Sequence, residues 1–324
     1  MKAILFEKYG SPDVLEMKVV AKPAPNDDQV LIKVKATAVN PLDWHRLRAD
    51  PFPVRFSDGL RKPKNPTIGA DIAGEVEAVG KNVTQFKPGD AVYGEVGAGG
   101  LAEYVCAAEK VIAPKPANIS FVEAAAVPVA ALTALQSLRD HGQLQAGQTV
   151  LINGASGGIG TYAVQIAKAF GAEVTAVCSG RNVELVRSLG ADHVVDYTKE
   201  DLTKSSQQYD LILDNVGNLS VSTYKRLLKD GGTAVVAGFT TLGRMLSVVV
   251  MGGLSSKFGK KKIGSMLAQP NQADLLALNE LLETGKVKSV IDKCYPFAES
   301  AEAIRYLETS RARGKVVVMI EPAD

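Results

Sequence analysis

The rhythm of apolar and polar positions changes near residue 124. Before it the chain carries short apolar-rich runs at 2–6, 30–36 and 74–79, and a Pro-Gly-Asp turn at 88–90 leads into another run at 91–93. Strands and turns in this succession predict a compact β-rich domain. From Ala124 an alanine-rich helical stretch opens, and strand-like and helix-like segments then alternate. The strand candidates are 150–152, 173–177, 193–195, 211–213 and 233–236. Alternation of this kind predicts a parallel sheet covered by helices on both faces. Residues 274–282 and 298–307 return to helical spacing, and 315–320 reads as a last strand. No internal repeat or low-complexity tract interrupts the pattern.

Within the second half, residues 150–160 read VLINGASGGIG. Val150, Leu151 and Ile152 suit a buried parallel strand. Gly154, Gly157 and Gly160 follow with GxxGxxG spacing, Gly158 adds freedom, and Ser156 and Ile159 complete the turn. Glycines placed this way let backbone amides approach a pyrophosphate while the next helix packs close to the sheet. Ile159, Ala163, Ile166, Ala167 and Phe170 mark that helix, whose first amides and dipole would face the phosphates. A purely structural turn would use the same glycines, so the next strand carries the decision. It runs over 172–178 and is followed by Ser179, Gly180, Arg181 and Asn182, with no acid where an NAD-specific fold places one for the ribose hydroxyl. A carboxylate there would repel a 2′-phosphate, whereas Arg181 can bind one through charge-assisted hydrogen bonds and Ser179 can donate another. These residues point to NADPH, against the plainer reading of Arg181 as a solvated residue at a helix start.

Composition narrows the class further. A chain of 324 residues is long for one core and predicts two domains. With 46% hydrophobic and 22% charged residues it is an ordinary globular composition, and a net charge of +2 gives no reason to invoke nucleic acid or an anionic membrane. Cys106, Cys178 and Cys294 are far apart, odd in number and without metal-like spacing, which favours a reducing compartment, with the cytoplasm as the expectation. The opening MKAILFEKYG turns charged too early for a secretory signal. The strongest apolar run, 246–254, is too short for a membrane span. With the basic stretch 257–262 behind it, it reads as a packed helix or a subunit contact rather than a membrane-surface element.

A series of motifs then falls in a specific order: VNPLDW at 39–44, IGADIAGEVEAVG at 68–80, KPGDAVYG at 87–94, AAAVPVAALTALQSL at 124–138, NGASGGIG, SLGADHVVDY at 188–197, DNVG at 214–217, GKVKSVID at 285–292 and RARGKVVV at 311–318. On these motifs the chain resembles, essentially end to end, the zinc-free quinone oxidoreductase branch of the medium-chain dehydrogenase/reductase superfamily, especially its NADPH-dependent alkenal/enone reductases. The resemblance implies an α/β fold: a GroES-like β-rich catalytic domain at 1–122 and 269–324, and a Rossmann doubly wound parallel-sheet domain for NADPH at 123–268. It also implies a homodimer through the edge of the cofactor domain, where 247–254 could serve.

Zinc-dependent members of the superfamily bind a Lewis-acid metal through cysteine and histidine ligands. Where they carry a GHE segment this chain has Gly69, Ala70 and Asp71, and where a CGTD-like segment begins it has Asn40, Pro41, Leu42 and Asp43. His45, His141 and His193 offer no ligand cluster, so no metal is expected. An acceptor must then already be electrophilic, as α,β-unsaturated carbonyls and quinones are. The resemblance implies reduction of activated double bonds, with NADPH:quinone reduction as the alternative. A non-catalytic NADPH-binding protein is the reading from a different class.

For the cofactor, the resemblance places Asn40 and Thr133 near the nicotinamide ribose and Tyr197 at the adenine-side phosphate. It further assigns Asn215 and Val216 after the fourth strand, Phe239 near the nicotinamide and Lys315 at the 2′-phosphate. Each has a bland counterpart as helix, turn, core or solvated residue. Trp44, Phe52, Phe56 and Tyr93 are candidates for an aromatic wall of the acceptor pocket, although aromatics are commonest in cores. Phe52 and Phe56 lie in the proline-bearing loop 51–66. His45 and Tyr93 are the candidate proton donors, and bulk water needs neither.

Overall fold

The computed structural model describes residues 1–320 and divides the chain into two compact units. The first takes Met1–Val129, Pro270–Glu283 and the chain from Ser289 onward, and the second takes Ala130–Gln269 and Thr284–Lys288. The crossing near residue 129 lies beyond the expected 122, because the Val129 amide is still bound to Asp71 in the first unit at 2.8 Å. Thr284–Lys288 returns to the second unit, where the Gln165 side chain donates to the Lys288 carbonyl and accepts from its amide, at 3.0 and 2.9 Å.

In chain order the strands are β1 (Lys2–Leu5), β2 (Glu16–Val19), β3 (Gln29–Val39), β4 (Asp71–Val79), β5 (Ala91–Glu95), β6 (Tyr104–Ala108) and β7 (Ile112–Pro114). The second unit adds β8 (Thr149–Asn153), β9 (Glu173–Cys178), β10 (His193–Asp196), β11 (Tyr209–Asp214), β12 (Leu228–Val236) and β13 (Lys262–Ser265). The chain then returns with β14 (Ile291–Pro296) and β15 (Lys315–Met319).

In the first unit β1 and β2 form a hairpin, and the large sheet runs β14-β15-β3-β4-β5-β7, with β6 also paired to β3. Its pairings are antiparallel except β14 with β15. One core packs Phe6, Leu47, Ile68, Ile304 and Val316, and another packs Val30, Ile32, Ile72, Val92 and Ile112. Each fully buried side chain of this size contributes about 1.5–3 kcal/mol.

The second unit holds a parallel sheet in the order β10-β9-β8-β11-β12-β13. Val150, Leu151 and Ile152 are wholly buried, as continuous apolar strands covered on both faces must be. The strand order reverses between β8 and β11, and in open sheets of this type the carboxyl ends at the reversal form the ligand crevice. Asn153, Cys178, Asp196 and Asp214 stand at those ends.

Two segments depart from the sequence reading. β13 at the sheet edge is a strand of four residues, KIGS, too short and polar to carry an apolar pattern. Residues 246–254 are helical but not packed. Leu242–Ser247, a single wider helical turn at Val248–Gly252 and Gly253–Phe258 follow one another without a break, and Leu246, Val250, Met251 and Leu254 are each more than half exposed. Among the described residues, no helix is long and apolar enough to cross a membrane.

Candidate functional site

The glycine turn leaves β8 with Gly154 at φ +76°, a conformation that disfavours any side chain, and a Cβ there would also press to 2.9 Å from Val216. A Cβ on Gly160 would sit 2.1 Å from the Gly154 carbonyl, so the helix Gly158–Ala169 crosses the turn as closely as it does only because that position is bare. Its N-cap is Gly157, which offers no side chain to the first-turn amides. Those amides and the helix dipole therefore present positive charge suited to an anion.

Beside the turn, Asp214 organises the loop after β11. Its Oδ1 accepts from Asn153 Nδ2, Val216 N and Gly217 N at 2.8, 2.9 and 2.8 Å, and its Oδ2 accepts from the Tyr224 hydroxyl at 2.7 Å. Burial, and then the Asp214 charge with that contact, push the Tyr224 phenol well above the usual range. The neighbouring Asn215 has both amide atoms buried without a hydrogen-bond partner. Buried polar atoms are costly unless bonded, so this amide fits a ligand that supplies both a donor and an acceptor. Phe239 packs on the apolar core of the unit, and Thr133 is buried in the helix Pro128–Gln136.

At the end of β9, Ser179 is half-buried and Arg181 is exposed on a short turn, while Tyr197, just past β10, is 61% exposed. Asn182 lies beneath them, buried, and its Nδ2 donates to Ser156 Oγ at 2.8 Å and to Ser179 Oγ at 3.2 Å. It thereby stitches the glycine turn to the second turn, a role its sequence context did not reveal. The bare helix terminus, the glycines that no side chain could replace and the unpartnered Asn215 amide together fit a dinucleotide.

The first unit holds a buried polar cluster. Asn40 Nδ2 donates to Asp71 Oδ2 at 2.9 Å and to the Ala38 carbonyl at 3.2 Å, and Lys315 Nζ donates to Asn40 Oδ1 and lies 3.2 Å from Asp71 Oδ2. Burial raises the Asp71 carboxyl, against the pull of the Lys315 ammonium. Asp43, at the start of the helix Pro41–Arg48, accepts from the Asn40 and Gly69 amides at 2.7 and 3.1 Å, yet burial pushes it up to about 7. Glu95, opposite Asp71 in the β4–β5 register, is pushed up to about 7 by burial and then by the Asp71 charge. No group of three or more His, Cys, Asp or Glu side chains among the described residues is arranged to hold a metal ion.

Three expectations are corrected here. Lys315 is only 3% exposed and spends its charge on Asp71 and Asn40, which removes it from a 2′-phosphate. Asn40 has both amide hydrogens committed inside the first unit and has none to donate to a ribose. Tyr93 is wholly buried, with its hydroxyl 2.7 Å from Asn279 Oδ1 and 3.1 Å from the Leu275 carbonyl, two acceptors for one proton, so it neither walls a pocket nor supplies a proton. Of the other aromatic candidates, Trp44 packs half-buried against the core of Phe6, Leu47 and Ile68. Trp44 and His45 stack with centroids 3.6 Å apart, and Phe52 and Phe56 meet edge to face at 5.8 Å while 61% and 68% exposed. His45 Nδ1 lies 2.6 Å from the Asp50 carbonyl, which can only accept, so Nδ1 carries a hydrogen.

Residues 26–117 match the family described as alcohol dehydrogenase GroES-like domain, and residues 189–318 match zinc-binding dehydrogenase. A 2-methylene-furan-3-one reductase of Solanum lycopersicum is 40% identical over 98% of this chain and 79% of its own length. The NADPH-dependent alkenal/one oxidoreductase, chloroplastic, of Arabidopsis thaliana is 37% identical with the same coverage of both chains. Among solved structures, a quinone oxidoreductase from Coxiella burnetii superposes with a TM-score of 0.87 at 32% identity, covering 99% of each chain.

Proposed function

Because the chain belongs to the medium-chain dehydrogenase/reductase superfamily, in its zinc-free quinone and alkenal reductase branch, we propose that it is an NADPH-dependent reductase of the activated double bonds of α,β-unsaturated carbonyls. Bound at the second unit, NADPH would supply a hydride for the β-carbon of the acceptor. The chain's own part there is binding and orientation. The bare N-terminus of Gly158–Ala169 would hold the diphosphate, Asn215 would take the polar groups that leave its amide satisfied, and Ser179 and Arg181 would engage the 2′-phosphate. Thr133, Val216, Phe239 and Tyr197 remain assigned to the cofactor in this reading. Trp44, Phe52 and Phe56 remain assigned to the acceptor. The α-carbon proton would come from the imidazolium form of His45 through Nε2, or from water.

The observation that carries this reading is the turn Ser179–Arg181, a hydroxyl and a guanidinium where an NAD-specific site would have an acid at the end of β9. The name of the Coxiella burnetii structure supports quinones as the second class of acceptor. Purified protein is mixed with NADPH and, separately, an enone, an enal and a quinone, and cofactor oxidation is followed with product identification. A saturated ketone or aldehyde as product supports the leading reading, a hydroquinone alone supports the second, and tight binding without turnover defeats both. Stoichiometric zinc in active protein would overturn the metal-free assignment.

The exposed apolar residues Leu246, Val250 and Leu254 support a homodimer. A Val250→Asp variant that sediments at half the mass of the parent is the expected result. The three cysteines are free, which supports a reducing setting such as the cytoplasm.

A further inference from the structure

The turn that carries Ser179 and Arg181 rests on a carboxylate one strand away. Asp196 closes β10 in register with Cys178 of β9, and the Tyr197 amide donates to the Cys178 carbonyl at 3.1 Å. Asp196 Oδ1 accepts from the Thr198 amide and hydroxyl at 3.0 and 2.6 Å. The Thr198 hydroxyl is the main cause that holds this carboxyl below the usual range, so it is ionised at neutral pH. Its other oxygen, Oδ2, is buried and lies 3.7 Å from the Lys199 ammonium, and the Gly180 amide also helps to hold the carboxyl down. That oxygen faces Gly180, where an added Cβ would come within 2.6 Å of it. Gly180 is not among the glycines with positive φ, so a side chain there is opposed by the Asp196 carboxylate, which would have to shift, and not by backbone conformation. On its other side the same turn is pinned by Asn182 to Ser156 and Ser179.

We propose that Asp196 is a positioning residue for cofactor choice: packed against Gly180, it holds the turn 179–182 in the shape that presents Ser179 and Arg181 to a 2′-phosphate. This rests on the NADPH reading above. An acid that served as a ribose acceptor would stand on the turn itself at the end of β9. Asp196 instead stands on the adjoining strand, with its oxygens turned to Thr198 and Gly180. Gly180 and Asp196 are in this view one steric pair, and substitutions at the two positions are coupled.

The test measures binding of NADPH, NADH, 2′,5′-ADP and 5′-AMP to the full chain and to Gly180→Ala, Asp196→Ala, Asp196→Asn and the Gly180→Ala/Asp196→Ala pair, with a melting curve for each. Gly180→Ala is expected to weaken NADPH and 2′,5′-ADP about tenfold, with far smaller changes for NADH and 5′-AMP. Asp196→Ala should lose less. The double variant should bind like Asp196→Ala, because the new methyl then has room. Asp196→Asn, which keeps an acceptor for Thr198, should retain the preference. Parent-like 2′,5′-ADP binding by Gly180→Ala, equal losses for both ligand pairs, or a double variant worse than Gly180→Ala would each overturn the proposal. If the unmodified protein does not prefer 2′,5′-ADP over 5′-AMP, it is the NADPH reading that has failed, before any variant is compared.

Discussion

The Lys315 ammonium lies 3.2 Å from Asp71 Oδ2, and the two side chains are 3% and 0% exposed. Asn40 bridges the pair and the Val129 amide takes the second Asp71 oxygen, so the ions enter the interior with their hydrogen bonds met. Removing one member strands the other. Lys315→Met is expected to cost about 3–5 kcal/mol, read as a lower denaturation midpoint, and adding Asp71→Asn should recover much of the loss. The NADPH preference of the surviving protein should be unchanged, and a selective loss of NADPH would return Lys315 to the phosphate.

Glu95 gives the pH dependence its sign. Its native carboxyl holds a proton up to about 7, against an ordinary value of 4.5, because burial and the Asp71 charge disfavour the anion. Between those values the native state binds more protons than the unfolded chain, so the group's contribution falls as pH rises and the cost is complete above about 7. Glu95→Gln should therefore stabilise the protein above that pH by on the order of 1–3 kcal/mol, reduced by partial solvent screening, with the gain vanishing toward acid. Melting curves across pH decide it, and a gain that grows on acidification would reverse the assignment.

Arg181→Ala should weaken NADPH far more than NADH, by about 1.5–3 kcal/mol for a charge-assisted contact. Titration of both cofactors checks it. Equal losses would remove Arg181 from the 2′-phosphate.

Tyr93→Phe should leave enone turnover within about twofold of the parent while lowering the melting midpoint by the loss of about 1 kcal/mol of hydrogen bonding. A large fall in kcat would restore Tyr93 as a proton donor.

His45→Phe separates the two remaining proton sources. A large fall in kcat with cofactor binding retained is expected if Nε2 delivers the proton. An unchanged kcat assigns that step to water.

Much of this architecture could be read from local patterns. Continuous apolar runs such as Val150–Ile152 identify strands buried on both faces, and glycine spacing marks the turn, because periodicity and steric freedom are properties of neighbouring residues. The order of motifs likewise identified the family, and the missing acid after β9 was legible as an absence at a fixed place. What the chain could not state locally was which distant side chains meet. Lys315 and Asn40 are 275 positions apart in sequence, and only the pairing of β15 beside β3 turns a lysine expected on a phosphate into the counter-ion of a buried aspartate. Tyr93 became a packed hydroxyl because Asn279 arrives from a helix far along the chain. Asp196 came under Gly180 through the β9–β10 register. Sequence alone thus determined most of the elements, the glycine turn after β8 and the family. Tertiary structure decided the electrostatic partners, since charge and space act through distances that only the folded chain sets.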